Sequence, residues 1–235
     1  FGFIQSVSAN PCTRFEDDNL TEHQRIELTE LLKNQIKEAL DNNTGINFSN
    51  YPHSVITEAL NAFVYRNSPE EPERSLRVLY LDGTEGEPFP VYCLERPEKE
   101  YSPEIGENNC DNLPGCAPQE NILKAALISM RHLTMDDQVD FAWFRNRKVS
   151  APQPFADTDA YCTQQTMEVF SHLSTGELHL HLYQTGLVTA VLGFYRGLVR
   201  TLKSRRNKGE RSVIRVTPFY YSGRDASYSK GNIWE

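Results

Sequence analysis

Leucine alternates with polar residues, without a break, in Glu177-Leu178-His179-Leu180-His181-Leu182-Tyr183. Successive side chains of a β-strand point to opposite faces, so this pattern predicts a strand with one buried face. A helical pattern follows, opening at Thr185-Gly186 and ending in the basic run 203–209, and a second strand pattern covers 212–221. A strand, a crossover helix and a strand predict a parallel βαβ unit, and this unit decides the fold class.

Two helices are predicted nearer the start of the sequence. Thr21-Glu22-His23-Gln24 has the form of a capping box, and apolar residues recur at helical spacing after it until 42–45. Pro52 suits the first turn of a second helix. Two helices joined by a short polar turn predict a helical hairpin, which needs a partner surface to cover its apolar side.

The middle of the chain predicts a strand pair followed by alternating helices and strands. Residues 76–81 and 89–94 form an antiparallel pair across a turn-rich connection. We expect a helix from 118 to 133, a strand at 139–144 and a helix that ends near Leu173.

The fold class that follows is α+β, with a mixed sheet of about five or six strands. Residues 1–70 are expected to form the N-terminal helical hairpin, packed on an α+β sheet domain at 71–235. At 235 residues the whole chain can bury a substantial core, so we expect the two parts to make one compact unit.

Composition and charge narrow the classes of function. The net charge is −8, but residues 1–120 carry 22 acids against 9 bases, and 121–235 carry 10 against 15. An acidic chain repels phosphate at long range, so nucleic acid is disfavoured, and an acidic protein partner or a small anion is preferred. No apolar run approaches the roughly 20 residues of a membrane span. We expect a soluble protein, intracellular rather than exported, and homo-oligomerisation stays open.

A dense positive patch is predicted at the end of the last helix. Its members either recur at helical spacing or belong to the basic run 203–209. They are Arg196, Arg200, Lys203, Arg205 and Arg206. Arginine forks bind phosphate or carboxylate, so the patch suits an anionic ligand or an acidic partner. The alternative is structural, because cations at a helix end complement its dipole and cap its carbonyls.

The turn at Thr185-Gly186 is a second anion-binding candidate. It lies between the carboxyl end of a strand and the amino end of a helix, where α/β sheets place ligands and backbone N–H groups attract anions. The alternative is that Thr185 caps the helix and Gly186 relieves a tight turn. Further along the helix, Gly193 and Gly197 share one face and predict close packing on the sheet.

The strand 177–183 also suggests a metal site. Glu177, His179 and His181 project from one face, at about 6.6 Å between alternate residues, and imidazole with carboxylate suits a divalent transition metal. The alternative is a polar outer face of the sheet. The pattern supplies too few ligands to predict a metal cofactor by itself.

The tail beyond Pro218 interleaves aromatic residues with cations. Such a pattern either stacks bases or sugars, or pins the segment onto the domain, and we favour pinning. Cys110 and Cys116 lie close in sequence, and whether they are bonded stays open.

The sequence contains no complete catalytic motif, so the predicted function is a non-catalytic binding or regulatory protein. It would engage an anionic ligand or acidic partner through the C-terminal basic patch, without a cofactor. A metal-dependent hydrolase or lyase that uses the His-x-His strand is the alternative, and elemental analysis of the purified protein separates the two.

Overall fold

The computed structural model describes residues 20–63, 74–91, 122–128, 139–173, 176–184, 187–210, 212–222 and 227–234. Within these ranges the chain is a mixture of helix and sheet, as the sequence predicts. The helices are α1 (Glu22–Asn42), α2 (His53–Asn61), α3 (Asn146–Val149), α4 (Phe155–His172) and α5 (Val188–Asn207). The strands are β1 (Gly45–Asn47), β2 (Arg74–Leu79), β3 (Phe89–Val91), β4 (Ile122–Ile128), β5 (Phe141–Phe144), β6 (Glu177–Gln184), β7 (Val213–Ser222) and β8 (Ser227–Lys230).

The larger sheet has the strand order β5-β4-β6-β7-β8. Its first four strands are parallel, and β8 pairs antiparallel with β7. Strand β6, helix α5 and strand β7 form the predicted βαβ unit, with Leu180 opposite Val216 in the register. Leu180 and Leu182 belong to the main core together with Leu192 and Leu198 of α5, so the leucine face of β6 is the buried one.

The prediction of a helix at 118–133 is wrong for the part that the structure describes, because Ile122–Ile128 is strand β4. This strand lies between β5 and β6, and Ala125 and Leu127 are fully buried. Alanine, leucine and lysine favour helix in isolation, but a short apolar run between parallel strands gains more by completing the sheet. Periodicity alone cannot separate the two outcomes for so short a run.

The N-terminal elements form a second, smaller sheet rather than extending a single one. Strands β2 and β3 pair antiparallel, as predicted, with Leu76 opposite Phe89. Strand β1, which the sequence analysis missed, pairs in parallel with β2. The result is a three-stranded sheet of order β1-β2-β3, so the expected single sheet of five or six strands is two sheets of three and five.

Local signals place the first helix accurately. Thr21 and Gln24 form the reciprocal capping box at the start of α1, and Asn43 ends the helix with φ 52°, in the left-handed region. Helix α2 begins directly after Pro52 and packs against α1.

Helices α4 and α5 pack tightly against each other between the two sheets. A Cβ on Gly197 would lie 2.6 Å from the Cβ of Thr166 and 2.8 Å from the carbonyl oxygen of Thr163. Gly193 of α5 faces Cys162, which belongs to α4 like Thr163 and Thr166. The prediction that these glycines pack on the sheet is therefore wrong: they admit the backbone of α4.

Side chains of the turn after β2 cap the first turn of α4 and so attach the small sheet to this helix. The backbone N–H of Phe155 donates to Asp82 Oδ2 at 2.8 Å, and the N–H of Ala156 donates to Thr84 Oγ1 at 3.2 Å. Pro154 provides no side-chain cap of its own. The turn after β2 therefore supplies acceptors that α4 needs at its first turn.

The end of the described chain is pinned onto the large sheet. Trp234 pairs with Val216 through two backbone hydrogen bonds and is 1% exposed, and its ring contacts that of Tyr195 in a tilted arrangement at 4.7 Å between ring centroids. This agrees with the pinning interpretation of the aromatic tail. Within the described ranges, none of the helices combines the length and apolarity that crossing a membrane requires.

Candidate functional site

Two of the five arginines and lysines predicted as a binding patch are buried. Arg196 is 0% exposed and forms an ion pair with Asp159, which is also 0% exposed. Its Nη1 also donates to Thr163 Oγ1 at 3.0 Å, and its guanidinium carbon lies 5.7 Å from the centre of the Phe89 ring. Placing Arg196 in an exposed patch is wrong, because the small sheet and α4 close over this face of α5.

Arg205 is buried for a different reason. Its Nη2 donates to the carbonyl oxygens of Phe170 and Leu173, at 2.5 and 3.1 Å, and its Nη1 donates to Ser212 Oγ at 2.6 Å. The side chain therefore caps the carboxyl end of α4. The structural alternative for the basic cluster holds here, although the helix that is capped is the neighbouring one.

The remaining members of the predicted patch lie nearer the surface but are dispersed. Arg200 pairs with Glu87, in the turn before β3. Lys203 and Arg206 are exposed. With Arg196 and Arg205 taken up inside the fold, the five residues do not form the continuous surface that the sequence analysis expected.

The His-x-His strand lies on the outer face of the large sheet. His179 shares a 2.9 Å hydrogen bond with Thr217 Oγ1, and its ring contacts that of His181 edge to face at 5.0 Å. Glu177 accepts from Arg215 Nη1 at 2.5 Å. Across the described ranges, no three histidine, cysteine, aspartate or glutamate side chains converge as metal ligands. The two histidine rings touch, but Glu177, His179 and His181 do not converge as a set of metal ligands.

The carboxyl edge of the large sheet contains a buried polar network. Gln184, at the end of β6, donates to the hydroxyl of Tyr195 at 2.6 Å, and Thr57 of α2 donates to Gln184 Oε1 at 3.2 Å. Burial raises the pKa of Tyr195, so this phenol stays protonated at neutral pH. Helix α2 is thereby held at the edge where the parallel strands end.

This edge is also where the strand order reverses. Strands β4 and β6 are neighbours, but the chain leads from β4 to β5 on one side and from β6 to β7 on the other. In open α/β sheets, ligands bind outside the carboxyl ends of the strands at such a point. The predicted residues Thr185 and Gly186 connect β6 to α5 here, and they lie outside the described residues.

Among the described residues of this region, the amino end of α5 contains a polar group without a hydrogen-bond partner. Leu187 precedes the helix and provides no side-chain cap. Thr189, in the first turn, is 4% exposed, and its hydroxyl has no hydrogen-bond partner. A buried hydroxyl without a partner costs free energy, so at a helix end this group is a candidate contact for a ligand.

Sequence reasoning missed Thr189, Thr57 and Gln184 as members of one region. A threonine in the first turn of a helix without a capping residue before it is a weak signal for Thr189. No local signal relates Thr57 to Gln184, because they are far apart in the chain and meet through the packing of α2.

The fold defines a layered protein in which two helices separate a three-stranded sheet from a largely parallel five-stranded one. No protein-family model, no curated protein and no solved structure matches the chain.

Proposed function

We propose that this chain is a non-catalytic binding or regulatory protein for a small anionic ligand, held at the amino end of α5. The observation that carries the proposal is the partnerless, buried hydroxyl of Thr189 at a helix end without a side-chain cap. The proposal keeps the class of ligand expected from the sequence and moves the site from the basic patch to the carboxyl edge of the large sheet.

Helix geometry supports an anion at this position. The N–H groups of Ala190 and Val191 donate to the carbonyl oxygen of Leu187, so the N–H groups of Val188 and Thr189 precede the first closed turn. These donors and the positive end of the helix dipole favour negative charge. The helix runs to Asn207, so its dipole is fully developed.

The neighbouring side chains support binding rather than catalysis. The side chains that meet at the end of β6 are Gln184, Thr57 and Tyr195, all neutral and all engaged with one another. Arg25 and Glu58, on the two helices above this edge, are paired. Such groups position a ligand without exchanging protons with it.

The test compares two buried threonines of the same helix. Thr189→Val removes the partnerless hydroxyl, whereas the matched control Thr201→Val removes a hydroxyl that donates to the carbonyl oxygen of Gly197 at 2.8 Å. Thermal unfolding is followed while inorganic phosphate replaces chloride at constant ionic strength. A ligand that binds only the folded state raises the free energy of unfolding by RT ln(1 + L/Kd) at ligand concentration L, and therefore raises the unfolding midpoint as its concentration increases.

We expect phosphate to stabilise the wild-type protein and the Thr201→Val variant alike. Thr189→Val should bind phosphate roughly tenfold more weakly, because a hydrogen bond to a charged group is lost. Absence of any phosphate effect on the wild-type protein, or an equal loss in both variants, would reject the proposal.

A further inference from the structure

Six rings form a continuous strip on the outer face of the large sheet. Successive ring centroids lie between 4.7 and 5.2 Å apart along the order His179, His181, Phe219, Tyr183, Tyr228, Tyr221. The strip crosses β6, β7 and β8. We name these six residues the ring strip.

The ring strip lies on the side of the sheet opposite the main core. His179, His181 and Tyr183 alternate along β6 with Leu178, Leu180 and Leu182, which pack with the helices. Tyr183 belongs instead to a separate small cluster with Ala126, Val139, Phe219 and Tyr228. The described helices that pack on this sheet therefore lie on the opposite face from the ring strip. Within the ring strip Tyr183 is buried, at 8% exposed, and the other five residues are half-buried.

Three cations border the ring strip, each directly across from one of its members. Lys124 lies opposite His181, Arg215 opposite His179, and Lys230 opposite Phe219. Lys124 and Lys230 are exposed, and Arg215 is paired with Glu177. Lys124 and Lys230 therefore add positive charge at the place where aromatic side chains are concentrated, whereas Arg215 and Glu177 neutralise each other.

We infer that the half-buried rings of the ring strip, together with the exposed Lys124 and Lys230, bind single-stranded nucleic acid. Aromatic rings stack bases without regard to sequence, and lysine and arginine neutralise the phosphates between them. The spacing of alternate residues along a strand, about 6.6 Å, is comparable to the spacing of nucleotides in an extended strand. A duplex would present no free base faces to the rings, so the surface should prefer single strands.

This inference differs from the expectation drawn from net charge, which disfavours nucleic acid. Repulsion by an acidic chain acts at long range and is screened beyond about 8 Å at physiological salt, whereas cations in contact with phosphate are screened much less. An acidic peptide would satisfy the same cations, but it would not require the six contacting rings. The rings therefore favour nucleic acid over an acidic protein.

The experiment measures fluorescence anisotropy of labelled oligo(U) and oligo(dT) of about 12 nucleotides, and of a duplex of equal length, at about 50 mM salt. The charge variant is Lys124→Glu with Lys230→Glu. Its matched control is Lys203→Glu with Lys208→Glu, which changes the net charge equally at exposed lysines of the α5 end. Phe219→Leu with Tyr228→Leu removes two rings while keeping apolar side chains.

We expect the wild-type protein and the control variant to bind both single strands. They should bind the duplex at least tenfold more weakly than the single strands. The charge variant and the ring variant should each lose tenfold or more in affinity for single strands. Because the charge variant alters exposed side chains alone, it decides the matter even if the ring variant is unstable.

Three outcomes would overturn the inference. One is a wild-type protein that does not bind single strands, and another is a control pair that loses as much affinity as the charge variant. The third is displacement of the oligonucleotide by polyglutamate at equal charge together with full binding by a folded ring variant, which would instead mark a docking surface for acidic proteins.

Discussion

Arg196 and Asp159 show how a charged residue is retained inside this molecule. Both are fully buried, and the ion pair lies where Tyr80 and Phe89 of the small-sheet segment meet the two central helices. Burial, reinforced by the nearby Asp159 carboxylate, raises the pKa of Tyr80, so its phenol remains neutral beside the pair. Two charges removed from water in this way stabilise a fold only as long as both are present.

Replacing one partner of this pair should therefore be more harmful than replacing both. Arg196→Met leaves Asp159 buried without a counter-ion and should lower the free energy of unfolding by about 3 to 5 kcal/mol. Asp159→Leu combined with Arg196→Met should lose much less, and Arg206→Met, at an exposed site, should change stability by about 0.5 kcal/mol or less. Urea unfolding measures all three. A double variant as unstable as the single one would contradict this account of the pair.

At the scale of elements, the contact between α4 and α5 depends on small side chains. Thr163 and Thr166 of α4 face Gly197 of α5, and the spacing of four residues between Gly193 and Gly197 keeps both glycines on this face. Close approach allows both helices to lie between the two sheets. It also brings the end of α4 within reach of Arg205, which caps its carbonyl groups.

Gly197→Ala tests whether close approach outweighs helix propensity. Alanine favours a helix interior by about 1 kcal/mol over glycine. The added Cβ would nevertheless lie 2.8 Å from the carbonyl oxygen of Thr163, so we expect a net loss of about 1 to 3 kcal/mol. Ser204→Ala, at an exposed position of the same helix, should be neutral or slightly stabilising. Chemical denaturation with far-UV circular dichroism measures both, and a stabilised Gly197→Ala protein would show that the helices can separate at little cost.

At the scale of the whole molecule, the small sheet depends on the turn after β2 for its attachment to α4. Asp82 and Thr84 accept hydrogen bonds from the first N–H groups of α4, and Tyr80 contacts Phe155 edge to face at 6.0 Å. The N–H of Phe155, followed by the hydroxyl of Thr84, lowers the pKa of Asp82 below its ordinary value of 3.8. The junction is therefore sensitive to acid.

A carboxyl group whose pKa is lowered by folding adds stability above its unfolded pKa, and the contribution disappears as pH falls through the folded value. Asp82→Asn should therefore be less stable than the wild-type protein at pH 7, and the difference should shrink as the pH drops below 3.8. Thr84→Val removes the other cap and also one of the hydrogen bonds that lower the pKa of Asp82, so part of its deficit should shrink over the same pH range while the part due to the lost cap of Ala156 remains. Thermal unfolding from pH 7 to pH 3 measures both, and a pH-independent deficit for Asp82→Asn would exclude the linkage.

Much of the fold could be predicted because its signals are local. The capping box at Thr21, the alternation of leucines in β6 and the crossover through α5 depend on neighbouring residues, and all three agree with the structure. Strand β4 could not be predicted, since its conformation follows from the strands on either side of it. The same holds for the candidate sites: the sequence places His179 and Arg215 on strands but does not show that their faces coincide.

The sequence by itself determined the elements with strong local signals, α1, β6 and α5 among them, because local sterics and periodicity control those choices. Tertiary structure alone decided which charges remain available. It enclosed Arg196 and Arg205, left Thr189 without a partner, and gathered six rings and three cations on one sheet face. The physical reason is that solvation and partnership of a polar group depend on what packs around it, and those neighbours come from distant parts of the chain.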